Sequence, residues 1–417
     1  MHNENQVPAG GVVNGQNKPA QLSPNVVKLG WVSLLTDISS EMLYPVVPIF
    51  LTTVLGAPMA ALGLIEGLAE SAANILKIFS GWWSDNAGKR RPFVIGGYGL
   101  SAFSKPLLAF SQFLGWPFVL LMRVADRTGK GLRTSARDAL IADYTPESQR
   151  GRAYGLHRAM DSMGAVLGPL AALFFISRIS GGDRAAQLLG YRQIFLWAFV
   201  PAILGVLVLF LVQEKPFSPR YQRPRFGWKT FNRDFKVFVL VNLVFALGNS
   251  SDAFLIVKAD KLFSSGPHAI ATVILVYVLY NLTYALGSYP AGVLADKFGA
   301  RRVFVTGLLL FSLVYAGFAF NRSPALIWVL FAVYGFYTAF TDGVGKAYAS
   351  KLVQPEFRAT GMGVYHMSNG LATFAASTAG GLLWNAGGGD GRFTFLYGSV
   401  MALLAAALFV VLVKRKA

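Results

Sequence analysis

The chain has 417 residues, 54% of them apolar, a mean hydropathy of +0.48 and a formal net charge of +18. That balance excludes an ordinary soluble enzyme and fits a polytopic membrane protein, so the charge matters by where it falls and not by its size. Zero cysteines exclude disulfides, thiolate metal sites and a cysteine nucleophile, and His2, His157, His268 and His366 are too scattered for a metal cluster, so no metal and no cofactor is expected.

Residues 1–25 are polar, rich in Asn, Gln, Gly and Pro, and lack the apolar core of a signal peptide; they read as a disordered cytoplasmic tail. A helix needs about 20 mainly apolar residues to cross a bilayer, and about twelve windows of that kind follow. They are Val26–Leu55, Ala60–Trp83, Pro92–Leu114, Pro117–Ala142, Arg152–Ile179, Tyr191–Val212, Val237–Leu262, Ala269–Ala295, Arg302–Phe320, Ala325–Leu352, Thr360–Trp384 and Phe393–Val413. With the N-terminus inside, Lys and Arg crowd the inner segments, while Arg178, Arg184, Arg192, Lys261, Arg322 and Arg392 are left outside. The positive-inside rule then puts both termini in the cytoplasm of a bacterial-type inner membrane. The basic stretch 213–236 reads as a linker between two six-helix bundles, 26–212 and 237–413, with 414–417 as a basic cytoplasmic tail.

An internal repeat supports that division. "GWWSDNAGKRR" at Gly81 returns 211 residues later as "GVLADKFGARR" at Gly292, and the same offset lays Ser39–Glu41 ("SSE") on Ser250–Asp252 ("SSD"). The pattern Gly-x-x-x-Asp-x-x-Gly-basic-x-basic between the second and third spans resembles the signature loop of the major facilitator superfamily. The resemblance covers nearly the whole chain after the tail. It implies an all-α membrane protein of twelve helices in two pseudo-symmetric bundles, rocking about a central site lined by the first, fourth, seventh and tenth spans. Gly81, Asp85, Gly88 and Arg90, with Gly292, Asp296, Gly299 and Arg301 in the second copy, are then gating-loop residues; glycines allow the tight turn and Asp85 accepts hydrogen bonds from basic groups.

Two partial matches point to a branch. "RTGKGLR", Arg127 to Arg133, resembles the fourth-span motif of proton-coupled drug exporters, with Lys130 in place of Gln and Arg133 in place of the last Gly. "GAVLGPLAA" resembles the fifth-span antiporter motif at Gly164, Gly168 and Pro169, with its terminal glycines replaced by alanine; a Gly-x-x-x-Gly pair is also an ordinary close-packing device.

Ionised groups inside a bilayer cost at least ~2.5 kcal/mol each, so they persist only if paired, hydrated or able to change protonation state. On a helical wheel Ser33, Asp37, Ser40, Glu41, Tyr44 and Pro48 share one face of the first span, and Pro45 with Pro48 predicts a bend. Asp37, Glu41, Glu66, Glu70 and Asp161 are the proton-coupling candidates, with permanent salt bridging as the rival role. The fourth span carries Arg123, Asp126, Arg127, Lys130, Arg133 and Arg137 within an arc of about 120°, a stripe that must meet carboxylates, water or an anionic substrate. With Tyr44, Lys105, Asp252, Lys258, Tyr337, Asp342 and His366, the residues Arg123, Arg127, Lys130 and Arg133 make up the substrate-binding candidates. Asp342 and Lys346 are spaced to pair. Tyr334, Phe336, Tyr337 and Phe340 either stack on an organic substrate or pack.

The leading expectation is a monomeric proton-coupled antiporter exporting a small organic compound. The second keeps the fold and binds an organic anion or metal chelate on the basic fourth-span stripe. A non-transporting receptor or scaffold is the third. No nucleophile–base pair or phosphate-cradling loop suggests an enzyme, and no feature calls for nucleic acid.

Overall fold

The computed structural model describes residues 22–146, 149–176, 184–214, 231–264, 268–354, 357–386 and 388–412. Most of the expected N-terminal tail, most of the linker and the basic C-terminal tail lie outside them; of the tail assigned to 1–25, Pro24 and Asn25 already belong to the first helix, which proline at the first helical position suits. The described residues form helices and no strand. Twelve spans follow in order: α1 (Pro24–Val54), α2 (Met59–Ala87), α3 (Arg91–Leu114), α4 (Trp116–Asp143), α5 (Arg150–Ile176), α6 (Gln187–Phe210), α7 (Arg233–Phe263), α8 (Ala269–Phe298), α9 (Ala300–Phe320), α10 (Pro324–Leu352), α11 (Arg358–Ala386) and α12 (Arg392–Leu412). Ten are long and apolar enough to cross a membrane on composition alone. The other two are α4, which carries the charged stripe, and α11, rich in Gly, Ser and Thr.

Two spans are broken where their sequences disfavour helix. The first helix of α1 stops at Leu43, turns at Tyr44 and Pro45, resumes over Val46–Ile49 and ends in a π-helical turn, Phe50–Val54. Proline supplies no N–H to the ladder, so the bend falls where Pro45 and Pro48 predict one. In α7, Asn249–Asp252 separate Arg233–Gly248 from Ala253–Phe263, although the sequence suggested a continuous span. Gly, Asn and Ser are poor helix formers; the freed Ser251 N–H donates to Ser377 Oγ at 3.1 Å, and the Asn249 side chain braces the break by donating from Nδ2 to Tyr337 Oη at 3.1 Å.

Spans α1–α6 pack on one another, as do α7–α12, and three pairs join the halves: α2 with α11, α5 with α8, and the second part of α1 with the second part of α7. The α2–α11 crossing brings backbone onto backbone. A Cβ on Gly63 would lie 2.2 Å from the Ser377 carbonyl oxygen, and one on Gly381 2.5 Å from that of Met59. Large apolar side chains such as Phe113, Phe174, Leu207, Leu313 and Val411 are exposed around the outside, where acyl chains would cover them.

The repeated loops close alike. Gly88 ends α2 at φ 62° and Gly299 separates α8 from α9 at φ 90°, left-handed values that favour glycine. Arg91 donates to the Phe210 carbonyl at the end of α6, at 2.8 Å, and Arg301 to the Val410 carbonyl at the end of α12, also at 2.8 Å.

Candidate functional site

A cavity of about 2000 Å³ lies between the halves. Its walls run from Tyr44, Tyr277 and Asp252 to the α2–α3 loop side, where Ser84, Asp85, Asp138, Phe357 and Thr360 line it. At the other end it is sealed. The Tyr44 and Tyr277 rings stack at 5.4 Å, and beyond them the second part of α1 packs on the second part of α7.

The acidic face of α1 forms part of this wall: Ser33, Asp37, Glu41 and Tyr44 all line the cavity. Glu41 accepts a hydrogen bond from the Tyr277 hydroxyl of α8 at 2.8 Å. Its repeat counterpart Asp252 accepts one from Tyr334 of α10 at 2.7 Å. Asp37 stands beside Asp161 of α5, which itself takes the Ser33 hydroxyl and has His157 Nδ1 at 3.7 Å. The antiporter-like glycines lie directly behind the pair. A Cβ on Gly164 would come within 2.7 Å of Asp37 Cβ, and one on Gly168 within 2.5 Å of the Ile38 carbonyl oxygen and 2.8 Å of Glu41 Cβ. Pro169 sits within α5 next to this contact, buried.

The α4 stripe divides among three neighbours. Arg123 holds Glu66 of α2 through contacts of 2.7, 2.8 and 3.0 Å, with both residues buried away from the cavity. One turn on, Arg127 pairs with Glu70 at 3.1 Å on the cavity wall. Asp126 turns to α3 and accepts from Ser101. Lys130 and Arg133 line the cavity with no carboxylate within ion-pair distance, and Arg133 lies over the Tyr98 ring at 4.4 Å.

Five other candidates stand apart from the wall. Arg123 and Glu66 are each other's partners; Lys105 is buried and donates to Ser39 and Ser40 at 2.7 and 3.1 Å. Lys258 reaches the Asp390 carbonyl at 2.9 Å, near the α11–α12 turn. Tyr337 is buried behind the α7 break. Asp342 and His366 do line the cavity, with Asp342 held by Lys346 at 2.6 Å and by Tyr284 at 3.0 Å. Of the gating residues, Gly81 and Asp85 line the cavity mouth, and Asp85 pairs with Arg90 of its own loop at 3.1 Å. Gly292 has open space about it, and Asp296 has no ion pair among the described residues.

Sequence reasoning missed Tyr277, Tyr280 and Tyr284. Their spacing of three and four residues puts them on one face of α8, and they form the aromatic wall opposite α1. Of the tenth-span aromatics, Tyr334 and Tyr337 are buried, while Phe336 points outward towards Gly287 of α8.

A twelve-span bundle around a polar cavity, closed by tyrosines at one end and open at the other, is the architecture of a membrane transporter. The Major Facilitator Superfamily profile matches this chain over residues 29–268 and 267–417. An MFS-type transporter of Methanocaldococcus jannaschii is 37% identical over 93% of this chain and 94% of its own length. Among solved structures, the nucleoside transporter NupG superposes with a TM-score of 0.74 at 15% identity, covering 94% of this chain and all of that one. The D-xylose–proton symporter superposes at 0.73 with 18% identity, over 93% and 97%. At such identities these two structures establish the fold alone. The chain belongs to the Major Facilitator Superfamily: it is a multi-pass membrane protein with the fold of a secondary active transporter.

Proposed function

We propose that this protein is a proton-coupled transporter of a small organic compound, working by alternating access, with Asp37 as the proton site. The observation that carries this reading is the position of Asp37, at the cavity wall with no cation in ion-pair distance and no hydroxyl donor, whereas Glu41 and Asp252 are each held by a tyrosine. An uncompensated carboxylate at that depth is stable mainly when it can take up a proton. The halves that would rock are residues 26–212 and 237–413, in an inner membrane with both termini cytoplasmic, so that the cavity opens to the cytoplasm. The protein works as a monomer.

The motif at Gly164–Pro169 packs directly against Asp37 and Glu41, so a shift of α5 reaches the proton site. Exchange suits a substrate that competes with the proton for Asp37. The test is flux in proteoliposomes under an imposed pH gradient. Asp37→Asn abolishes gradient-driven flux while keeping exchange of substrate for substrate, and Glu41→Gln slows both. Unchanged driven flux in both variants would overturn the assignment.

A further inference from the structure

Asp37 meets the Asp161 carboxyl, whereas every other carboxylate on the cavity wall has a cation or a hydroxyl donor among the described residues. Glu70 holds Arg127, Asp85 holds Arg90, Asp138 holds Arg137 and Asp342 holds Lys346, while Glu41, Asp161 and Asp252 accept hydroxyl donors. Three cations on α2 and α4 have no ion pair among the described residues. Lys77 has only the Asn74 amide, at 3.0 Å; Lys130 has no hydrogen bond or ion pair among the described contacts; and Arg133, 4% exposed, leaves Nη1 with no hydrogen-bond partner. Lys130 lies among like charges, Arg127 foremost and then Arg133 and Lys77, with the Glu70 and Asp37 carboxylates as the nearest opposite charges. Like charges gathered on a cavity wall are held apart by water when the cavity is empty and are best stabilised when an anion enters among them.

We infer that the substrate is a small organic anion, its carboxylate or equivalent oxyanion held by Lys130, Arg133 and Lys77 on the α2–α4 wall. Guanidinium and ammonium groups together suit an oxyanion: the first gives paired donors in a plane, the second a mobile point charge. Lys130 and Arg133 are also the two positions at which the fourth span departs from the exporter pattern, so the departure itself builds the site.

The sense of coupling follows. Facing Asp37 are Glu41 from its own helix, Asp161 and Arg158 from α5, Lys105 from α3, and Lys130 and Arg133 from α4; α6, on the far side of α1, meets that helix through Gly205 against Thr36. An ionised Asp37 attracts the same Lys130 that the anion needs. Protonating Asp37 releases it, so proton and anion favour each other's binding, and linkage makes the effect reciprocal. Anion and proton then travel together, in place of the exchange suited to a competing substrate.

This inference rests on the proton-coupled reading, and one experiment separates the two. Purified full-length protein is titrated with benzoate, terephthalate and phenylphosphonate, and with benzamide and benzylammonium as neutral and cationic controls, with thermal stability read at pH 6 and pH 8. The expected result is stabilisation by at least one anion and by neither control, with affinity about tenfold higher at pH 6. Lys130→Gln and Arg133→Gln weaken anion binding, and Lys130→Arg retains it, which separates loss of the site from loss of the fold. Asp37→Asn keeps anion binding and removes its pH dependence. Stabilisation by benzylammonium alone, no response to any anion at millimolar concentration, or anion binding indifferent to Lys130→Gln and Arg133→Gln would overturn the inference. If anions bind through Lys130 but a pH gradient drives no flux, the substrate class stands and the proton-coupled reading falls; if the gradient drives a cation, the reverse holds.

Discussion

The two halves share one fold and use opposite chemistry to fill it. In the N-terminal half the space between helices is taken by charge and hydroxyls: Arg123 on Glu66, Arg127 on Glu70, Lys105 on Ser39 and Ser40, and Asp126 with Ser101. In the C-terminal half the corresponding space is a lattice of rings. Phe311 stacks on Tyr315 at 3.9 Å and meets Tyr337 edge-on at 4.8 Å, while Phe245, Tyr334 and Phe395 extend the contacts. A duplicated six-helix frame therefore specifies where helices cross and leaves the interior chemistry free. One half lines the cavity chiefly with charge, and the other faces it with a firm aromatic wall.

The comparison predicts that single substitutions cost most in the charged half. Arg123→Met strands Glu66 in a buried site and lowers stability by about 3–5 kcal/mol, whereas Arg123→Met with Glu66→Leu recovers most of the loss. Chemical unfolding in detergent micelles checks this, and a double variant no better than the single one would mean that the pair is not the cause. Gly168→Ala drives a methyl into the Ile38 carbonyl and Glu41 Cβ, forcing α5 off α1 at a cost of about 1–3 kcal/mol. Gly155→Ala in the same helix, with nothing within 4 Å of the added carbon, is the control, and equal melting shifts would refute the close-contact account. In the aromatic half, Phe311→Leu loses ring contacts but keeps the apolar fill, for about 1 kcal/mol by the same assay. Lys346→Met, which breaks a pair with 44% and 34% of its side chains exposed, changes stability by less than about 1 kcal/mol. A larger loss there would show that the contacts of Asp342 with Arg158 and Tyr284 depend on Lys346.

How far the sequence reaches depends on whether a property belongs to one helix or to several. The spans, the repeated loops and the shared face of Asp37 and Glu41 are carried by local composition and spacing, and could be read directly. The Asp342–Lys346 pair was legible for the same reason. The direction in which each α4 charge is satisfied was not, because a helical wheel gives a bearing and not a neighbour. Arg123 and Lys130 share one face by periodicity, yet one is sealed against α2 and the other stands in the cavity. The break in α7 had a signal in the run Gly248–Ser251, masked by the apolar residues around it. The tyrosines of α8 had one too, in their spacing, but long apolar helices carry many aromatics and only the facing helix gives these three a purpose.

The backbone-to-backbone crossing of α2 and α11 has a mechanical consequence. Where Gly63 and Gly381 meet the facing chain, no side chain interlocks, so the surfaces can roll over each other without lifting a knob from a hole. Such a contact acts as a journal bearing: it holds the two shafts at a fixed spacing while offering little resistance to rotation. Under the alternating access proposed above, this joint is where the halves would pivot, and the stacked Tyr44 and Tyr277 are what would have to part.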